Sequence, residues 1–514
     1  MRSIQVWVLA GLCVVLLLPG EIRGETFDVT TDEDKVPAPV GSLREAIDKS
    51  REPVADADLI TFSIGPNKTI TLETVFSAIN GDLDIDGATA PGLTIDGTGG
   101  DDLKIDSGTT TIRQIDLVDF GLNITGASQK VILDSGMGDM EMSFAGSAED
   151  VNDSVLKGGG ELIKQGSGTL ELFVDGSGFT GKMSIEAGTV RSDVMSINGA
   201  TSIANEGELV IVEDGAIDDP VRIFGSAISG AGSLVKEGGA TIGLAGKNDF
   251  SGGITIRGGG IEGSTDTLGT GGITFDPDDG EIAGLGIGQN EDGTLPGGVT
   301  GNGFVGKDGS GIVTLGGSND YSGFTAIIGG GLVIQDANLS GNIILTAGTS
   351  IAFDQSNDGT LSGGIEGPGT FTKQGAGSLT LSSGFDSSGF SGTSTVSAGA
   401  LILENVIFET SALSVASGGI LAGTGTVTGA TTISGTVDPA GDDFGVLTVE
   451  NTVDFSGSGT LVAQIREAGD PDQLVVNGLV TLTDNPNLQI TIGDGAYETP
   501  VEAVVLMSTT NPID

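Results

Sequence analysis

The sequence predicts an all-β fold built as a solenoid, a parallel β-helix with one short helix near its start. Three observations carry this. One pattern occurs four times, from Gly158 to Asp193, Gly230 to Asp266, Gly301 to Asp336 and Gly367 to Asn405. Within each copy apolar residues fall two apart, the period of a strand. Glycines recur at fixed offsets, as tight corners between short strands require. Strands this short cannot bury an apolar face alone, so successive coils must stack and cover one another.

Composition sets limits before any motif does. The 514 residues include 90 glycines and only 4% aromatics, which suits many strands joined by tight corners. With 70 acidic against 21 basic side chains the formal net charge is −49. Nucleic acid is excluded as a partner, since phosphate contacts need a basic footprint. Weak association with divalent cations is expected instead.

Residues 1–24 read as a signal peptide: Arg2, an apolar run from Val6 to Leu18, a Pro-Gly break, and Gly24 before Glu25. The run is shorter than the roughly 20 residues a spanning helix needs. It contains Cys13, the chain's one cysteine, and the chain has no histidine. No disulfide can staple the solenoid, so stability falls to stacked apolar side chains and backbone hydrogen bonds.

Residues 25–150 form the start of the solenoid. In GSLREAIDKSRE, Gly41 to Glu52, Ser42 and Glu45 make a capping box, while Leu43, Ala46 and Ile47 supply one apolar side. A helix there covers a first coil whose edge would otherwise stand open. The stretch resembles the C-S-L-R-E-A-I domain of secreted β-helical proteins, with Gly41 where that family has cysteine. Asp82, Asp84 and Asp86 are spaced like the start of a calcium loop, but position twelve is Leu93. Their alternation with Leu83 and Ile85 predicts a half-buried strand.

Residues 151–405 hold the four copies. Each has glycine and then lysine four residues on, at Lys164, Lys236, Lys307 and Lys373. Paired apolar residues follow, such as Leu170 and Leu172 or Val313 and Leu315. An aromatic comes next, at Phe179, Phe250, Tyr321 and Phe390, and nine residues beyond it a glycine, at Gly188, Gly259, Gly330 and Gly399. The lysines read either as a cationic stripe for an acidic glycan or as repeat-position residues offsetting neighbouring acids, the second being favoured. The aromatics read as core or corner packing in preference to a sugar-stacking ladder. Asp276, Asp278 and Asp279 crowd one turn, where solvated carboxylates are expected before a calcium site.

This pattern resembles the autotransporter-associated β-strand repeat. The resemblance implies a right-handed β-helical passenger, secreted or displayed on a Gram-negative surface. Residues 406–514 then read as closing coils. Their G-T-G-T-V run and Asp472-Gln-Leu-Val-Val-Asn-Gly resemble passenger ends, and no translocator barrel follows in the sequence given. Export machinery or a separate outer-membrane anchor is the expected partner.

Absence of histidine removes Ser-His-Asp and Cys-His catalysis. No catalytic, cofactor or metal residue is assigned. The expected protein is an extracellular or cell-surface, non-catalytic structural and adhesive rod of about 20 coils, near 100 Å long at about 4.8 Å per coil. It presents a repetitive surface to glycans or other cells. Two alternatives stand beside it: a polysaccharide lyase or hydrolase working through carboxylates with lysine or arginine, and a calcium-dependent matrix protein.

Overall fold

The computed structural model describes residues 7–9, 12–14, 24–35, 37–50, 57–74, 76–97, 102–119, 121–143, 155–439, 445–465, 472–483, 486–492 and 507–509. The leader expected over 1–24 lies largely outside these residues. No helix among them is long and apolar enough to cross a membrane. The chain divides into two compact units, Met1–Val212 with Ile223–Leu234 and Ala245–Phe250, and Glu213–Arg222 with Val235–Leu244 and Ser251–Asp514.

In the first unit each coil supplies short strands to stacked parallel sheets, as the period-two pattern requires. Thr109–Arg113 pairs in parallel with Leu83–Asp86 on one side and Lys130–Asp134 on the other. Ile115–Val118 and Gly121–Ile124 do the same in two further sheets. Register places like on like: Ile85, Ile112, Leu133, Lys164 and Ile185 stand in one interior ladder. In Leu83–Asp86 the leucine and isoleucine are buried and the aspartates half-buried, so this segment is a strand. Asp82 accepts the N–H of Thr109 at 2.7 Å in the next coil.

The expected helix spans Leu43–Lys49, and its capping box is made with one change: Glu45 reaches back to the N–H of Gly41, one residue before the N-cap, while the Ser42 N–H goes to the Pro39 carbonyl at 3.1 Å. Ser42 Oγ accepts from Glu45 N at 3.2 Å, and Glu45 Oε2 from Gly41 N at 2.6 Å. Leu43 and Ile47 close over a small apolar cavity shared with Phe76, Ile85, Ile95, Leu103, Ile112 and Leu117. The arginine of the same helix fixes its angle. Arg44 holds buried Asp34 through Nε and Nη2 at 2.7 and 2.6 Å and lies 4.9 Å from the Phe76 ring centroid. The sequence led to one helix; a second short one is present, Val194–Ile197, directly after the first repeat. Asp193 caps it, accepting from Ser196 N at 2.8 Å, and the Ser196 hydroxyl takes the N–H of Val174 at 2.9 Å.

The second unit repeats the construction. Phe304–Asp308 lies between Ala283–Gly288 and Thr325–Ile327, and Ile312–Leu315 between Gly293–Leu295 and Gly331–Gln335. Farther on, Thr393–Leu403 and Ala412–Gly423 are long strands that run side by side with a bulge between Val396 and Ala398. Their interior ladder runs Phe353, Lys373, Val396, Val415, Ile433 and Phe455.

Turn carboxylates have a structural task in both units: they accept backbone N–H groups of the following coil. Asp139 takes Thr169 N at 2.8 Å, Asp292 takes Ile312 N at 2.8 Å, and Asp358 takes Ser378 N at 2.9 Å. Asp336, at φ +42°, accepts from Ser356 N and Asn357 N at 2.8 and 3.0 Å. The N–H of Asn357 holds its carboxyl below the ordinary aspartate range. Some of the acidic composition is therefore corner chemistry.

Candidate functional site

The feature repeated by rule is the lysine corner, and the structure places it inside. Each repeat lysine follows, by two residues, a buried apolar one: Leu162, Leu234, Val305 or Phe371. Sharing their side of the strand, the lysines point inward and are at most 1% exposed. The cationic-stripe reading is thereby corrected, because these ammonium groups do not face solvent.

Three backbone carbonyls receive each ammonium. Lys164 Nζ donates to the carbonyls of Gln165, Gly166 and Ala187 at 2.8, 2.9 and 3.3 Å. Lys236 donates to Glu237, Gly238 and Gly258 at 2.5, 2.7 and 3.4 Å. Lys307 reaches Asp308, Gly309 and Gly329 at 2.6, 2.9 and 3.3 Å. Lys373 reaches Gln374, Gly375 and Ala398 at 2.8, 3.0 and 3.1 Å. An ammonium has three donors and no acceptor, so the corner satisfies it. Two acceptors belong to the lysine's own corner; the third comes from the next coil.

That third carbonyl precedes the repeat glycine, which explains why glycine stands there. Gly188, Gly259, Gly330 and Gly399 have φ between +63° and +71°, a region that L side chains rarely enter. There is no room either: a Cβ at Gly330 would meet the Gly311 oxygen at 2.3 Å, and one at Gly399 would meet Lys373 Nζ at 2.8 Å. The motif is a lysine staple across two coils.

Burial pushes the Lys236 and Lys373 ammonium groups down to about 8, and it lowers Lys164 and Lys307 also. Nearby carboxylates oppose it, among them Glu213 and Asp214 at Lys236 and Asp354 and Asp358 at Lys373. The acid-offsetting reading thus holds electrostatically, although the side chains are interior.

The repeated aromatics are interior as well: Phe179, Phe250, Tyr321 and Phe390 are at most 4% exposed. Tyr321 makes a buried hydroxyl pair with Thr325 at 2.7 Å and an edge contact with Phe275 at 6.4 Å between centroids. Stacking on a sugar from these positions is ruled out. Asp276, Asp278 and Asp279 are exposed at their turn. Among the described residues no group of three or more acidic or thiol ligands is placed to hold a metal.

What sequence reasoning missed lies on the outer face. Phe304 and Phe324 stack against each other there, 4.9 Å between ring centroids. The signal was parity, since each immediately precedes an inward residue, Val305 and Thr325.

Fold and corner together define the class: a parallel β-solenoid assembled from a lysine-stapled repeat. The model of the passenger-associated-transport-repeat family matches the chain four times, at residues 162–191, 234–262, 306–334 and 371–403. Each match falls within one of the four copies, and together they cover about a quarter of the chain. No curated protein matches it. Among solved structures, the Hap adhesin of Haemophilus influenzae aligns at 14% identity and a TM-score of 0.30. The alignment covers 89% of this chain and 60% of that protein's length.

Proposed function

We propose that the chain is a secreted or surface-displayed β-helical passenger that works without catalysis, as a structural and adhesive protein. One observation carries the reading: what repeats is buried, and what varies faces out. The residue after each staple lysine is Gln165, Glu237, Asp308 or Gln374, and the residue after the next inward apolar position is Glu186, Arg257, Ile328 or Ser397. All eight are exposed or half-exposed. A fixed interior thus carries a changeable exterior, and many weak contacts along it would sum by multivalency. The passenger-repeat matches support export and display. The lyase or hydrolase alternative would need a clustered, non-repeating acidic and basic group in one groove; the four repeat lysines, engaged inside, are not that group.

Beads coated with the purified protein over a range of densities test this, scored for retention on glycan-coated and cell-covered surfaces under flow. Retention should rise more steeply than density. Beads that hold no better than albumin-coated ones at every density would overturn the adhesive reading. Protease shaving of intact producer cells tests display, and a repeat region that survives shaving but is cut after lysis would count against it.

A further inference from the structure

The second unit carries one outer patch unlike its acidic surroundings. Phe304 and Phe324 stack with planes 6° apart, and Phe304 lies so close over Gly284 that a Cβ there would meet the ring at 2.3 Å. Phe324 is 44% exposed and Ile328 59%. Ile344 stands beside Ala326 in the next coil, which extends the apolar ground. Carboxylates rim it in register: Glu262 beside Gly286, Asp308 beside Gly288 and Glu366 beside Ile344. Lys307, on the same strand as Phe304, is turned inward and adds no positive charge to the face.

An apolar area inside an acidic rim selects by charge. A second copy of this chain, at −49, is repelled, as are nucleic acid and anionic lipid. The complement is a surface with basic residues around an apolar centre, and an arginine there gains further from the exposed rings. We infer that this face docks a basic partner protein, its arginines or lysines meeting Glu262, Asp308 and Glu366 while an apolar side chain covers Phe304 and Phe324. The inference deepens the adhesive reading and rests on it for its setting.

The test uses the whole chain and a short amphipathic peptide of leucine and arginine, with a leucine and glutamate peptide as counterpart, in fluorescence anisotropy at physiological salt. The arginine peptide should bind and the glutamate peptide should not. Phe304→Ser with Phe324→Ser leaves the net charge unchanged and should weaken binding by about tenfold or more, while Ile407→Ser, exposed elsewhere, should not. Should the double variant fail to fold, Phe324→Lys alone should weaken binding similarly. Equal affinity of the wild type and the patch variants would reduce the effect to general charge and overturn the proposal. A dimer in sedimentation, lost in the double variant, would give the face to a second copy and overturn it too. Beads carrying the double variant separate the two readings: if they still adhere while peptide binding ignores the patch, the patch fails and adhesion stands.

Discussion

Replacing Lys307 by methionine keeps most of the side chain's length in the ladder and removes every donor. The carbonyl of Asp308 retains the N–H of Gln289 at 3.0 Å, so the loss falls chiefly on Gly309 and Gly329. Each buried carbonyl left without its donor costs about 1–3 kcal/mol. Relief from burying a cation offsets some of this, leaving a net loss of about 2 kcal/mol. A solenoid's coils contact mainly their neighbours, so the damage should be local. Hydrogen exchange followed by mass spectrometry should show protection across Phe304–Asp308, Thr325–Ile327 and Gly331–Gln335 falling by about 30-fold. Peptides from Thr109–Arg113 serve as the internal reference and should not change. Unchanged or greater protection around the Lys307→Met site would refute the staple, since the ammonium would then be a burden that the fold merely tolerates.

Alkaline pH gives a second expectation. Lys236 and Lys373 lose their protons near 8 when folded and near 10.5 when unfolded, so between those values the unfolded chain binds more protons and stability rises with pH. Urea midpoints measured at pH 7.5 and 9.5 should increase, by less in Lys373→Met. Above pH 10 the sign turns at Tyr321, whose burial raises its phenol beyond the ordinary value; unfolded tyrosine ionises first and stability falls. Gly330→Ala should cost about 3 kcal/mol or more in denaturant unfolding, through positive φ and collision together. Gly348→Ala, at φ +83° with no atom within 4 Å of the added carbon, should cost only about 1 kcal/mol. Ser42→Ala should cost about 1 kcal/mol at the N-terminal cap, read as faster exchange in Leu43–Lys49.

Much of this arrangement could be read along the chain, and the exceptions have physical causes. Stacked strands, corner glycines, buried aromatics and the capping box at Ser42 and Glu45 follow from period two and local backbone rules. Lysine orientation was available by the same parity, two residues from Leu162, Leu234, Val305 and Phe371. Its charge pointed the other way, because a buried ammonium needs acceptors and the acceptors here are backbone carbonyls from two coils, which no residue letter displays. Helix Val194–Ile197 stayed hidden because four residues carry no period; only Asp193 and Ser196 signal it. Phe304 and Phe324 were not singled out, because an outward aromatic shows only against its surroundings, and here Gly284 and Ala326 are too small to cover them.

The staple also bears on how such a chain would respond to force. Parallel strands pulled from an end peel away coil by coil, each yielding its few hydrogen bonds in turn. A lysine gripping its own corner and the following one is a catch in that peeling. Lys236, Lys307 and Lys373 are 71 and 66 residues apart, so stretching should proceed by easy release and then a hold, each freeing about 200–250 Å of extended chain. A repeat that looks like a means of building length would then set how that length is surrendered under load.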